Sequence, residues 1–138
     1  PKVSSYFKND LKDKKIAIWG LAFKPETDDI REAPALYIID ELLAQGAIVT
    51  AFDPEAMPNV KRAYNGKIDF AENMYEALNG AEALIICTEW SIFRTPNFSM
   101  IKKLLNNPVI FDGRNLYDIG EMNAENIKYV SIGRKDVN

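Results

Sequence analysis

The stretch that decides the fold is Lys15–Pro34, KIAIWGLAFKPETDDIREAP. It opens with a short apolar run, Lys15 to Trp19, continues through a polar loop, Gly20 to Pro34, and leads into a helical pattern. Leu36, Ile39 and Leu43 recur at i, i+3 and i+7, flanked by Ala35, Ile38 and Leu42, so Glu32 to Gln45 reads as a helix with a broad apolar stripe. Pro34 is tolerated in a first turn, acidic residues precede the helix, and Gly46 stands where a C-terminal stop belongs. Ala47 to Phe52 then reads as a second strand, ended by Asp53-Pro54. Strand, helix, strand is a βαβ unit, whose crossover is almost always right-handed.

Working outward, the same alternation continues. A short helix is expected around Pro58 to Tyr64, a short edge strand at Ile68 to Phe70, and a helix over Met74 to Leu78 capped by Asn73. Strands follow at Ala83 to Cys87 and Val109 to Phe111, with a helix over Phe98 to Leu105, capped near Asn97, between them. A last strand is expected at Ile127 to Ile132. Continuous rather than alternating apolar strands are the mark of a sheet buried on both faces. The expectation is an α/β, doubly wound, mostly parallel Rossmann-like sheet of about five or six strands, with helices on both faces. Residues 1–14 are polar and mixed in charge and read as a lead-in segment; 15–138 read as one domain. The chain starts with Pro1 rather than Met, which suggests a piece cut from something longer.

Composition narrows the chemistry. With 47% apolar and 27% charged residues, the 138-residue chain belongs with ordinary globular domains. Its 17 basic against 20 acidic residues form no basic patch, so no nucleic-acid partner is expected. No apolar run approaches the roughly 20 residues of a membrane span, so no membrane partner is expected either. Histidine is absent, which removes Ser-His and Cys-His nucleophile arrangements. The single cysteine, Cys87, excludes an internal disulfide and a multi-cysteine metal site and suits a reducing, cytoplasmic setting. No metal site is expected.

In an open α/β sheet, ligands bind beyond the carboxyl ends of the strands. Four loops should gather there: the one after Trp19, Asp53-Pro54, Thr88-Glu89-Trp90 and Asp112-Gly113-Arg114. Lys24, Arg31 and Arg114 supply cations and donors suited to a phosphate, and a nucleotide is the natural ligand. The first turn lacks the dinucleotide fingerprint, however, since the glycine after Gly20 is Gly46. Asp53 falls where a ribose-binding carboxylate often sits, but we read it as a turn residue. Thr27, Asp28 and Asp29 are equally compatible with a functional role and with helix capping and ion pairing to Arg31. Cys87 reads as an inert core thiol. Trp90 and Phe93 fit either base stacking or the covering of a sheet edge.

Three motifs carry a resemblance. GLAFKPETDDIREAP, TEW with Phe93-Arg94 close behind, and FDGRNLYD are similar, in order and spacing, to the carboxyl-terminal domain of the UDP-glucose/GDP-mannose dehydrogenases. The likeness spans residues 15 to about 132 and is nearest to the bacterial members that oxidise UDP-glucose. It implies a nucleotide-sugar-binding domain of an enzyme that oxidises the sugar C6 alcohol to a carboxylate with two NAD⁺ through a cysteine-bound intermediate. Phe23, Lys24 and Arg114 match substrate-binding positions, and Arg31 matches a position reaching NAD. Thr27, Asp28 and Asp29 would support the loop. The catalytic cysteine belongs to an earlier segment that Cys87 does not match, so no catalytic residue is expected here. NAD would be held mainly by a missing amino-terminal domain. The implied partners are a UDP-sugar, the amino-terminal and central segments of the same enzyme, and further copies in a homo-oligomer. The alternatives are the equivalent domain of a UDP-N-acetylmannosamine or GDP-mannose dehydrogenase, or a stand-alone nucleotide-binding module.

Overall fold

A computed structural model describes residues 10–22, 24–31 and 33–131. The sheet has six strands, β1 (Lys15–Trp19), β2 (Ile48–Phe52), β3 (Asp69–Phe70), β4 (Ala83–Ile86), β5 (Val109–Asp112) and β6 (Lys128–Ser131). They lie in the order β3-β2-β1-β4-β5-β6, and every pairing is parallel. The chain therefore works outward from β1 to one edge, returns, and works outward from β4 to the other. β1 and β4 meet at the reversal of direction.

Five α-helices are described: α1 (Pro34–Ala44), α2 (Met57–Tyr64), α3 (Ser91–Arg94), α4 (Phe98–Leu104) and α5 (Ile119–Ala124), with a 3-10 turn at Glu76–Leu78. Strand alternation sorts them into two layers. Ile16, Ile18, Val49, Ala51, Ile85 and Phe111 face α1 and α2 through Ile39, Leu42 and Val60. Ala17, Trp19, Leu84, Ile86, Ile110 and Tyr129 face the other layer, through Leu78, Phe93, Ile101 and Met122. The sheet is thus covered on both sides, which is why β1 from Ile16 to Trp19 and all of β4 are apolar. Each fully buried Leu or Ile contributes roughly 1.5–3 kcal/mol. Trp19 is fully buried; its indole N–H donates to the Met74 carbonyl at 2.8 Å, and its ring stacks on Phe93 at 5.1 Å.

Local chemistry sets the ends. α1 starts at Pro34 with Ala33 as an N-cap that offers no side-chain acceptor. The expected start at Glu32 lies outside the described residues, and Thr27, Asp28 and Asp29 do not cap this helix. Its far end closes as expected. Gly46 has φ +84°, its N–H donates to Leu43 O at 3.0 Å, and Ala47 N–H donates to Leu42 O at 3.0 Å, the pairing of a Schellman motif. The expected helix at Met74–Leu78 is only the 3-10 turn, though the Asn73 carboxamide does accept from the Tyr75 and Glu76 N–H groups. α4 is capped by Asn97 as expected. α3 and α5 had no counterpart in the sequence reading. No helix among the described residues is long and apolar enough to cross a membrane.

Candidate functional site

The carboxyl ends of β1 and β4 open side by side, and the loops beyond them are bolted together. Gly20 takes φ +95° as the chain leaves β1, and a Cβ there would lie 2.5 Å from Thr88 Cβ. Only glycine fits that backbone and that approach. Just beyond, the peptide of Leu21 and Ala22 is gripped from both sides. From β4's end, the buried Thr88 hydroxyl donates to the Ala22 carbonyl at 2.7 Å. From β2's end, Asp53 Oδ2 accepts from Leu21 N–H at 2.7 Å and from Ala22 N–H at 3.4 Å.

Asp53 is fully buried, and its other oxygen accepts from Glu55 N–H at 2.8 Å and Ala56 N–H at 2.7 Å. Four backbone donors make burial of this carboxylate affordable. The turn reading of Asp53 holds, and the residue does more than turn the chain, because it also fastens the β1 loop. Both of its oxygens are spent on backbone.

Lys24 follows this clamp and is exposed. Phe23, the other expected substrate contact in the loop, lies outside the described residues. Further along, Thr27, Asp28, Asp29 and Arg31 build a local turn. Thr27 Oγ1 accepts from Asp29 N–H at 3.2 Å, and the Asp28 carbonyl accepts from the Asn59 amide at 2.8 Å, tying the loop to α2. Asp29 and Arg31 form a fork, with Nε at 3.0 Å and Nη2 at 2.9 Å. Arg31's side-chain hydrogen bonds, then its backbone N–H, hold the Asp29 carboxyl down to about 2. The Arg31 side chain remains 87% exposed, so the pairing aims it without burying it.

On the other side, the Gly113 N–H donates to Ile86 O at 3.0 Å, extending the sheet pattern into the β5 loop. Asp112 Oδ1 accepts from Arg114 N–H at 2.7 Å. The Arg114 side chain is half-buried; its Nε donates to Cys87 O at 3.1 Å and lies 3.2 Å from Glu89 Oε2. Glu89, named from the sequence only as part of its loop, is therefore a charge partner of Arg114. Cys87 is a buried thiol, pushed up to about 12 chiefly by burial, with Arg114 opposing and Asp112 adding to the shift. Both its burial and the raised thiol fit the reading of Cys87 as a core residue. Trp90 and Phe93 are also buried, which favours the sheet-covering reading over base stacking. Among the described residues no group of three or more His, Cys, Asp or Glu side chains could hold a metal ion.

The parallel sheet thus gathers the four expected loops at one edge. Lys24 is on the loop after β1, Arg114 is on the loop after β5 but tied to the β4 loop through Cys87 O and Glu89, and Arg31 is exposed in the β1 loop. Fold and site define a nucleotide-binding α/β module of the doubly wound dehydrogenase class. Residues 17–119 match the UDP-binding domain model of the UDP-glucose/GDP-mannose dehydrogenase family, and the chain belongs to that family.

Similar proteins agree. The UDP-glucose 6-dehydrogenase of Rhizobium meliloti (strain 1021) is 42% identical over 135 residues, covering 98% of this chain and 31% of that protein. Among solved structures, a UDP-glucose dehydrogenase from Pyrobaculum islandicum matches with TM-score 0.76 and 27% identity, over 94% of this chain and 27% of that one. An NDP-N-acetyl-D-galactosaminuronic acid dehydrogenase from Methanosarcina mazei Go1 matches with TM-score 0.80 and 28% identity, over 97% and 27% respectively. The chain spans about a third of the length of the curated relatives it matches.

Proposed function

We propose that this chain is the nucleotide-sugar-binding domain of an NAD-dependent UDP-glucose 6-dehydrogenase, acting in the cytoplasm on UDP-glucose to form UDP-glucuronate. The observation that carries this reading is the 42% identity over 98% of the chain to a UDP-glucose 6-dehydrogenase. Lys24 and Phe23 hold the diphosphate and sugar from one loop, and Arg114 holds the nucleotide from the other. Thr27, Asp28 and Asp29 brace the first loop so that Arg31 reaches outward to the cofactor.

The residues present do not suit NAD in this chain's own first turn. That turn has no glycine-rich cradle, and Asp53 has no oxygen left for a ribose, since both accept backbone N–H groups. NAD, which takes the hydride in such enzymes, is then held mainly by an amino-terminal domain, and Arg31 touches it from across the cleft. The role of this chain is electrostatic and positional: cations compensate the diphosphate, and closure between domains excludes water from the reacting carbon. The complete enzyme is a homo-oligomer in this reading.

The test is a binding measurement on the complete enzyme. Lys24→Ala and Arg114→Ala should each weaken UDP-glucose binding by roughly 1.5–3 kcal/mol, the value of a charge-assisted hydrogen bond. Calorimetry should also rank UDP-glucose above UDP-N-acetylmannosamine and GDP-mannose; a reversed ranking would assign the domain to a sister enzyme. The 138-residue chain alone, given UDP-glucose and NAD⁺, should produce no NADH above blank.

A further inference from the structure

Arg114 stands two residues beyond a buried carboxylate whose three partners come from two places in the chain, the loop after β5 and the strand β6. Asp112, 2% exposed, closes β5. Its Oδ1 accepts from Arg114 N–H at 2.7 Å, and its Oδ2 accepts from Leu116 N–H at 2.6 Å. The same Oδ2 accepts from the Tyr129 hydroxyl at 2.5 Å. Tyr129 is fully buried in β6, where it pairs in register with Ile110, so its hydroxyl reaches across to the end of the neighbouring strand. The hydroxyl oxygen also accepts from Tyr117 N–H, at 3.3 Å. A carboxylate at this depth must be met by donors. Here two of the three are backbone amides of the very loop that carries Arg114, and the third is Tyr129.

We propose that Tyr129 is a positioning residue for Arg114, acting through Asp112. Its hydroxyl holds the carboxylate in the orientation that receives the Arg114 and Leu116 amides, and so fixes where the Arg114 side chain begins. Cys87 O and Glu89 steer the guanidinium end of the same side chain. Tyr129 touches no ligand itself. The inference rests on Arg114 being a UDP-sugar contact, as proposed above. The competing reading makes Tyr129 only a filler of the core, whose hydroxyl serves stability.

The two readings separate in the complete enzyme, with UDP as the probe and calorimetric Kd as the readout, alongside Tm for each variant. Tyr129→Phe keeps the ring and removes the donor; we expect Kd to rise about three- to tenfold, as for one neutral-donor hydrogen bond. Tyr117→Phe is the control. It removes another buried hydroxyl, one that donates to Phe93 O at 2.5 Å and not to Asp112, and should leave Kd within about twofold. In an Arg114→Ala background Tyr129→Phe should add less than about twofold, because the group it positions is gone. Should Tyr129→Phe not fold, Asp112→Asn provides the same comparison against Arg114→Ala.

An unchanged Kd for Tyr129→Phe, beside a raised Kd for Arg114→Ala, overturns the inference and leaves the site reading intact. Equal weakening by Tyr117→Phe, or a full effect of Tyr129→Phe without Arg114, also overturns it. If Arg114→Ala itself leaves Kd unchanged, the site assignment fails first, and the role of Tyr129 falls with it.

Discussion

The Thr88 hydroxyl donates to the Ala22 carbonyl at 2.7 Å, a bond between residues 66 positions apart that closes the crevice between β1 and β4. Thr88→Val keeps the shape and removes the donor, leaving a buried carbonyl short of a partner. It should cost roughly 1–3 kcal/mol in urea unfolding of the 138-residue chain. Gly20→Ala should cost more, roughly 2–5 kcal/mol, because it combines a strained φ with a methyl driven into Thr88. A neutral outcome for Gly20→Ala would mean that the two loops can part without loss.

Asp53 is expected to behave as a fastener. Asp53→Ala removes the acceptor of four backbone N–H groups, and Asp53→Asn turns one of its two oxygens into a donor facing other donors. We expect a loss of about 3 kcal/mol or more from the alanine variant. In native-state hydrogen exchange, the Leu21 and Ala22 amides should lose protection while those of β5 keep it. Equal loss across the sheet would show that Asp53 serves general stability and not the loop.

The Asp29–Arg31 fork sets a pH window. The folded carboxyl is depressed to about 2 from an ordinary 3.8, chiefly by the Arg31 side chain. The pairing is therefore fully present above the ordinary carboxylate value and is lost as pH falls through about 2. Carbon-detected titration should find Asp29 near that value, and Arg31→Ala should return it toward 3.8. Both groups are solvent-exposed, so the global stability should change little. A titration near the ordinary value in the unmutated chain would show that the fork does not persist in solution.

Cys87 should resist thiol reagents. A buried thiol pushed up to about 12 stays protonated through the physiological range. A disulfide exchange reagent at neutral pH should modify the native chain slowly and the urea-unfolded chain at once. Rapid reaction in the native state would show that the β4 loop opens.

The Lys15–Trp19 strand, the α1 stripe and the Gly46 stop were legible because each depends on neighbours within a few residues. The Asp29–Arg31 pairing was legible for the same reason. Asp53 was read correctly as a turn, but its second task was hidden, since Leu21 lies 32 positions away and nothing local marks the contact. Arg114's tie to Glu89 and Cys87 O escaped notice in the same way, being a matter of which strands end side by side. α3 escaped because a single turn, Ser91–Arg94, gives no periodicity to read. α5 carried a usable signal, Asp118 three residues before Glu121, and the Asp118 carboxylate does accept from Glu121 N–H.

The neighbourhood of β1 and β4 has a consequence for how the chain is made. As it emerges from the ribosome, β1 can pair at once with β2 but must wait for residue 83 before its other edge is covered. Through that interval the unfinished sheet β3-β2-β1 presents an open, apolar parallel edge, the kind of surface that invites pairing with another chain. The Thr88 bond comes only after that wait, and Arg114 later still. The ligand-facing edge is thus complete only once β4 and β5 have been made, and a nascent chain arrested before β4 would carry Lys24 on a loop fastened from the β2 side alone, by Asp53.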